Sequence, residues 1–201
     1  LDLKSAKTGS EAGGVTQGLR AQRRIRDIML EMHRSPQVIV AALNGAASGA
    51  GMGIALAADI RVATPQGRMN AAFIKLGVSA CDMGVSYFLP RMIGTSLAKH
   101  YMLTGRFIEP QRALELGLVS AVVDEPALDA EVDAIVRDLL RATPLGLRMT
   151  KEAFDHAVDM NSLESVLALE DRNQILGVQG EDFAEGVRAF LEKREPRYRN
   201  G

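Results

Sequence analysis

The sequence predicts an α/β fold with parallel strands, followed by a region built from helices. Three observations lead to this fold class: a β-branched run ends at a glycine-rich elbow, short strand and helix patterns then alternate, and apolar residues recur at helical spacing after residue 126. We therefore assign residues 1–125 to an α/β core and residues 126–201 to a helical region.

The elbow is the most informative stretch. A strand is expected at residues 38–43, and the turn signal Asn44-Gly45 ends it. Four glycines among Ala and Ser then allow tight bends and close approach of a ligand: Gly45, Gly49, Gly51 and Gly53. A helix that begins near Ala50 would point unpaired N–H groups at the elbow, which suits an oxyanion or an anion.

Other interpretations of this stretch match less well. The run from Ser35 to Ala58 carries no charge and has the Gly-xxx-Gly spacing of membrane helices, but Asn44-Gly45 would break such a helix. The glycines after Ser48 are spaced too closely for a dinucleotide-binding loop. Neither a Walker loop nor a G-x-S-x-G nucleophile elbow is present.

The remaining elements of the core follow from hydrophobic spacing. Residues 4–18 lack apolar patterning and predict a loop over the mouth of the site, and residues 19–34 predict a helix with an arginine-rich face. After the elbow we expect strands at residues 60–63 and 68–70, then helices at residues 83–93 and 96–103. Pro90 predicts a kink or a boundary in the first of these helices.

Helical patterns continue to the end of the chain. Apolar stripes include Val132, Ile135, Leu139, Leu163, Leu167, Phe183, Val187 and Phe190. Thr143-Pro144 predicts an N-cap followed by proline at the first helical position. Asn161 with Glu164 predicts another helix start, and Pro196 is expected to end the last helix.

Composition restricts the class of protein. The 201 residues are 47% hydrophobic and 24% charged, which is typical of a soluble globular protein. The net charge of −1 gives no reason to expect nucleic acid or a membrane as a partner. The single cysteine suits a reducing compartment, so we expect a cytoplasmic protein. The histidine, cysteine and carboxylate residues show no metal-ligand spacing, so we predict no metal site.

A series of motifs follows the elbow in order: Leu76-Gly77, Leu89-Pro-Arg91, Leu103-Thr-Gly-Arg106, Ala113-Leu-Glu-Leu-Gly-Leu-Val119 and Phe190-Leu-Glu-Lys-Arg194. This series resembles the crotonase superfamily, the enoyl-CoA hydratases and isomerases. The resemblance implies a ββα spiral core, a C-terminal trimerisation region, an acyl-CoA substrate and a homotrimer or homohexamer. It implies no cofactor other than the coenzyme A of the thioester. Residues 1–4 resemble a segment that lies inside the family's core, so we expect the N-terminal part of that core to be missing.

The resemblance also implies a site. The N–H groups of Ala50 and Leu1 would stabilise a thioester enolate. Substrate contacts would come from Leu3, Lys4, Gly49, Met69, Phe73 and Met83. Lys193 matches a position that reaches the nucleotide of coenzyme A from another subunit, although a solvated lysine at a helix end would look the same.

The two glutamates that hydratases of this superfamily use are absent, since the matching positions are Gly53 and Phe73. Asp82 remains as a candidate acid and base, in a loop where dienoyl-CoA isomerases and chlorobenzoyl-CoA dehalogenases also place an aspartate. Dehalogenation would also require a histidine, and its approximate matching position is Arg24. With one acid rather than two glutamates, isomerisation is favoured over hydration. Two alternatives stay open: Asp82 N-caps a helix that starts at Met83, and the chain is a catalytically silent acyl-CoA binder or assembly protein. The neighbouring Cys81 is expected to be buried.

Overall fold

The computed structural model describes residues 14–199. Its α-helices are α1 (Gly14–Arg34), α2 (Ala50–Ala57), α3 (Val85–Ile93), α4 (Thr95–Thr104), α5 (Pro110–Glu115), α6 (Leu128–Leu140), α7 (Pro144–Ala157), α8 (Leu163–Val178) and α9 (Glu181–Glu192). Its strands are β1 (Val40–Leu43), β2 (Ala47–Ser48), β3 (Ile60–Ala63), β4 (Met69–Asn70) and β5 (Ala121–Val122). Short 3-10 helices lie at Ala72–Leu76 and Glu125–Ala127. Within this range, no helix has the length and apolar character needed to cross a membrane.

The chain divides into two compact units. The first contains α1 and Ile39–Val132, and the second contains Ser35–Val38 and the chain from Asp133 onward. The first unit holds a sheet of order β1-β3-β5 and a pair formed by β2 and β4. Every one of these pairings is parallel, with Val40 opposite Ile60 and Ala47 opposite Met69. The prediction of an α/β fold with parallel strands is therefore confirmed.

The main core of the first unit forms where α2 packs on β2 and β4 and where α3 packs against α2 and α4. Its fully buried side chains include Met52, Leu56, Met69, Leu89, Ile108 and Leu118. A buried cation accompanies them, because Arg61 on β3 donates from Nε to the Leu118 carbonyl at 2.6 Å and also donates to the Ala58 carbonyl. Burial lowers the pKa of Arg61, and the nearby carboxylate of Asp59 raises it. The guanidinium thus satisfies carbonyls at the C-terminal end of α2.

Three predictions for the first unit need correction. Strand β1 begins at Val40 rather than at residue 38, because the Ile39 N–H donates to the Asp59 carboxylate at 2.7 Å instead of to a neighbouring strand. Helix α1 begins at Gly14, so residues 14–18 are helical and not part of a loop, while residues 4–13 lie outside the described range. Helix α3 begins at Val85 rather than at residue 83 and continues past Pro90 to Ile93, so Pro90 marks no helix boundary; burial of Val85 and Leu89 offsets the missing hydrogen bond.

The second unit contains α7, α8 and α9. Thr143 caps α7 as predicted, and its hydroxyl accepts the Gly146 N–H at 2.9 Å. The cap of α8 is Ser162 rather than Asn161, because the Ser162 hydroxyl accepts the Ser165 N–H. Helix α9 ends at Glu192, before Pro196, since the backbone reverses at the next residue.

Candidate active site

The elbow presents a backbone donor. The Gly49 N–H donates to the Asn70 carbonyl at 2.9 Å, which ties the end of β2 to β4. Gly49 then turns the chain at φ 56° and ψ −114°, a conformation that favours glycine. Ala50 is the first residue of α2, as the sequence predicted. Among residues 14–199 its N–H has no acceptor, as expected for the first residue of a helix.

Apolar side chains surround this donor. We call this group the site cluster; it consists of buried Met29, Ala57 and Met83 with partly buried Ile25, Met32, Ala50, Phe73 and Phe88. The ring of Phe73 lies over the elbow, since a Cβ on Gly49 would be 3.2 Å from its Cε1 and Cζ atoms. Of the predicted substrate contacts, Phe73 and Met83 therefore lie together with Ala50. Met69 is fully buried in the main core instead.

The position of one absent hydratase glutamate is closed by the backbone. A Cβ on Gly53 would lie 2.5 Å from Met83 Cβ and 2.6 Å from the Met83 carbonyl oxygen. Met83 itself adopts a left-handed backbone with φ of 50°, which is uncommon for a side chain of its size. The loop that carries Asp82 thus rests directly on α2, and residue 53 has no room for a side chain.

Asp82 lies in this loop and is half-buried. Its Oδ1 accepts the Met83 N–H at 2.8 Å and the amide Nε2 of Gln22 on α1 at 2.5 Å. The N-cap alternative is wrong, because α3 starts at Val85 and its N-cap is Gly84. Cys81 is exposed, contrary to the expectation of burial, since the loop turns its side chain to solvent.

Sequence reasoning missed Gln22. The resemblance points to Arg24 as the position on α1 that would face Asp82 in a dehalogenase, and Arg24 is exposed on that helix. Gln22 precedes Ile25 and Met29 at helical spacing and therefore continues the apolar stripe of α1 as a polar residue. Gln22 is exposed, as Arg24 is, so its position on the stripe is the one signal that the sequence offers for this contact.

Several predicted site residues lie elsewhere. Leu1, Leu3 and Lys4 are outside the described residues. Lys193 is exposed and has a left-handed backbone with φ of 53° at the C-terminal end of α9. Over the described range, no three His, Cys, Asp or Glu side chains group together as a metal site would require.

Glu185 accounts for the reversal at Lys193. Its carboxylate pairs with Arg194 at 2.6 Å and also accepts the Arg197 N–H at 2.9 Å. The hydrogen bond from the Arg194 guanidinium has the largest effect and the Arg197 N–H the next largest, and together they lower the pKa of Glu185 to about 2. These contacts hold the segment after α9 back against that helix.

Comparison with known proteins identifies the family. A family model described as enoyl-CoA hydratase/isomerase matches residues 2–201. The probable enoyl-CoA hydratase echA12 of Mycobacterium tuberculosis is 39% identical over 183 residues, which cover 90% of this chain and 64% of that protein. The 1,2-epoxyphenylacetyl-CoA isomerase of Escherichia coli is 33% identical, with 90% of this chain and 68% of that protein covered. The chain thus spans about two thirds of the length of these relatives.

Solved structures agree with these matches. A probable enoyl-CoA hydratase/isomerase from Mycobacterium abscessus has a TM-score of 0.87 and 36% identity, over 94% of this chain and 73% of that one. An enoyl-CoA hydratase from Bacillus anthracis has a TM-score of 0.88 and 32% identity, over 96% and 74%. The crotonase-like fold expected from the motifs is confirmed. The chain belongs to the enoyl-CoA hydratase/isomerase family of the crotonase superfamily.

Proposed function

We propose that the chain acts on acyl-CoA thioesters and moves a double bond rather than adding water across it. One observation carries the proposal. The site cluster contains both Ala50, whose first-turn N–H has no acceptor in the described part of the chain, and Met83, whose neighbour Asp82 supplies a carboxylate. Met83 also fills the space that a side chain at residue 53 would need. The arrangement therefore supports one carboxylate in the site and not two.

The Ala50 N–H would stabilise the charge that develops on the thioester oxygen. Removal of a proton from the α-carbon of the thioester, or from the γ-carbon when a double bond lies between that carbon and the thioester, produces an enolate. A preorganised N–H donor directed at that oxygen contributes on the order of 3 kcal/mol. The resemblance assigns a second donor to Leu1, and this assignment stays a prediction.

Asp82 would transfer the proton. The C–H bond at one end of the allylic system breaks, its electron pair enters the enolate, and the proton passes to the carboxylate. The double bond shifts when the same proton is delivered to the other end, so no atom is gained or lost. One carboxylate is sufficient for this exchange. Hydration also requires a water molecule to be held and deprotonated, for which Gly53 and Phe73 offer no group.

The decisive experiment is Asp82→Asn, assayed on a panel of enoyl-CoA and dienoyl-CoA thioesters. The amide keeps the shape of the carboxylate but cannot accept the proton. We expect kcat to fall by about 10²- to 10⁴-fold with little change in KM. If the wild-type protein turns over none of these thioesters, the proposed function is wrong.

The absence of both hydratase glutamates also motivates a second candidate, a catalytically silent acyl-CoA binder or assembly protein. Calorimetry with acyl-CoA separates the two. Acyl-CoA binding without turnover of any thioester, in the wild-type protein and in Asp82→Asn alike, would favour the silent binder. A large loss of kcat at unchanged affinity would exclude it.

Assembly is part of the proposal. We propose a homotrimer or homohexamer, in which Lys193 reaches coenzyme A bound to a neighbouring subunit. Large apolar side chains exposed on the helices of the second unit support this assembly; they include Phe154, Leu163, Phe183, Phe190 and Leu191. Of these, Phe154 and Phe183 line a cleft of about 720 Å³ between α7, α8 and α9. We propose that the reaction needs no cofactor other than the coenzyme A of the thioester substrate. A cytoplasmic location stays a prediction.

A further inference from the structure

A side-chain hydrogen bond joins α1 to the loop that carries Asp82. Gln22 Nε2 donates to Asp82 Oδ1 at 2.5 Å, across 60 positions of sequence. Gln22 lies on the same face of α1 as Met29, which is buried in the site cluster. Gln22 itself is exposed, so its amide reaches Asp82 from the rim of the cluster, on a helix that packs against Met83 through Met29.

Both hydrogen bonds to Asp82 use one carboxylate oxygen. Oδ1 accepts from Gln22 and from the Met83 N–H, whereas Oδ2 has no donor among residues 14–199. A neutral side-chain amide is far too weak a base to take a proton from the substrate, so Gln22 does not compete with Asp82 for the transferred proton. Gln22 fixes one oxygen and leaves the other available.

The backbone of the loop does not fix the carboxylate by itself. Met83 and Gly84 adopt successive left-handed conformations, with φ of 50° and 74°, and burial of the Met83 side chain sets this path. Within the loop, the Met83 N–H is the one donor to the carboxylate that the described residues provide. Gln22 supplies a second donor to the same oxygen from outside the loop.

We infer that Gln22 is a positioning residue that turns Oδ2 of Asp82 toward the substrate. The inference rests on the proposed function, since it assigns Asp82 the proton transfer. Gln22 itself contacts no reacting atom. Its removal should therefore change kcat and leave substrate affinity intact.

The test is Gln22→Met, which keeps the length of the side chain and removes the donor. We expect kcat to fall about ten- to a hundredfold with KM unchanged within about twofold, as for loss of one hydrogen bond to a charged group. In an Asp82→Asn background the same substitution should have no further effect on kcat, because the two residues act as one unit. A purely structural role would give additive losses. Gln17→Met, the same change elsewhere on α1, is the matched control.

A second measurement does not depend on turnover. The side-chain amide of Gln22, observed by ¹⁵N-resolved NMR, should shift when Asp82 is replaced by asparagine, whereas that of Gln17 should not. If the wild-type protein is active and Gln22→Met retains the wild-type kcat, the positioning role alone is refuted. If the wild-type protein is inactive on every thioester, the proposed function and this role fall together, and the NMR shift then reports only the contact.

Discussion

Replacement of Gly53 by alanine tests the contact between α2 and the Asp82 loop. The new Cβ would lie 2.5 Å from Met83 Cβ and 2.6 Å from the Met83 carbonyl oxygen. Neither atom can rotate away, because both belong to the backbone or the first side-chain atom of a residue that is only 5% exposed. The loop would have to move as a unit and would carry Asp82 with it.

Two opposing terms set the magnitude. Alanine is favoured over glycine inside a helix by up to about 1 kcal/mol. Overpacking of a filled site costs typically about 1–3 kcal/mol, and this backbone contact leaves little room for relaxation. We expect Gly53→Ala to lower the free energy of unfolding by about 1–2 kcal/mol and to reduce kcat.

Gly51 provides the matched control in the same helix. A Cβ there would meet only Ala47 Cβ, at 3.8 Å, which is an ordinary contact. Gly51→Ala should therefore raise the free energy of unfolding by about 0.4–1 kcal/mol. Urea unfolding followed by circular dichroism, at one fixed protein concentration, measures both variants. Equal or greater stability of Gly53→Ala than of the wild type would refute the reasoning, and so would a loss in Gly51→Ala as large as that in Gly53→Ala.

Further predictions concern the second unit. Because Arg194 holds the pKa of Glu185 at about 2, below its ordinary 4.5, this carboxylate stabilises the unit fully above pH 4.5 and the contribution is lost as the pH falls toward 2. Acid unfolding followed by circular dichroism should be less steep over that range in Glu185→Gln, and an unchanged profile would contradict the assignment. Thr143→Ala should cost about 1 kcal/mol in chemical denaturation through loss of the α7 cap, whereas no loss would show that the cap contributes nothing. Sedimentation at micromolar concentration should show trimers or hexamers that Phe190→Arg disrupts, since Phe190 is 83% exposed in the single chain; wild-type monomers would rule out the assembly.

Local patterns in the sequence determined much of the fold. The β-branched run and its turn signal located β1, and the spacing of glycines located the start of α2 at Ala50. Strand β3 at Ile60–Ala63 and the Thr143 cap followed from residue type alone. These features depend on neighbours within a few positions, which is why a single sequence was sufficient. The order of the motifs indicated the family, and the comparisons confirmed it.

Contacts between distant segments decided what the sequence could not. Residue type showed that residue 53 lacks a carboxylate, but only the fold shows that Met83 closes the space beside it. The fold likewise brings together Gln22 and Asp82, and Arg61 and the Leu118 carbonyl, which are far apart in the sequence. The left-handed backbone at Met83 also opposes its local preference, and its burial offsets the cost. Residue spacing along the chain determines helices and strands, because these elements are stabilised by hydrogen bonds and apolar patterns that recur at regular spacing. The site depends on contacts between distant side chains and backbone segments, and these contacts form only when the core packs.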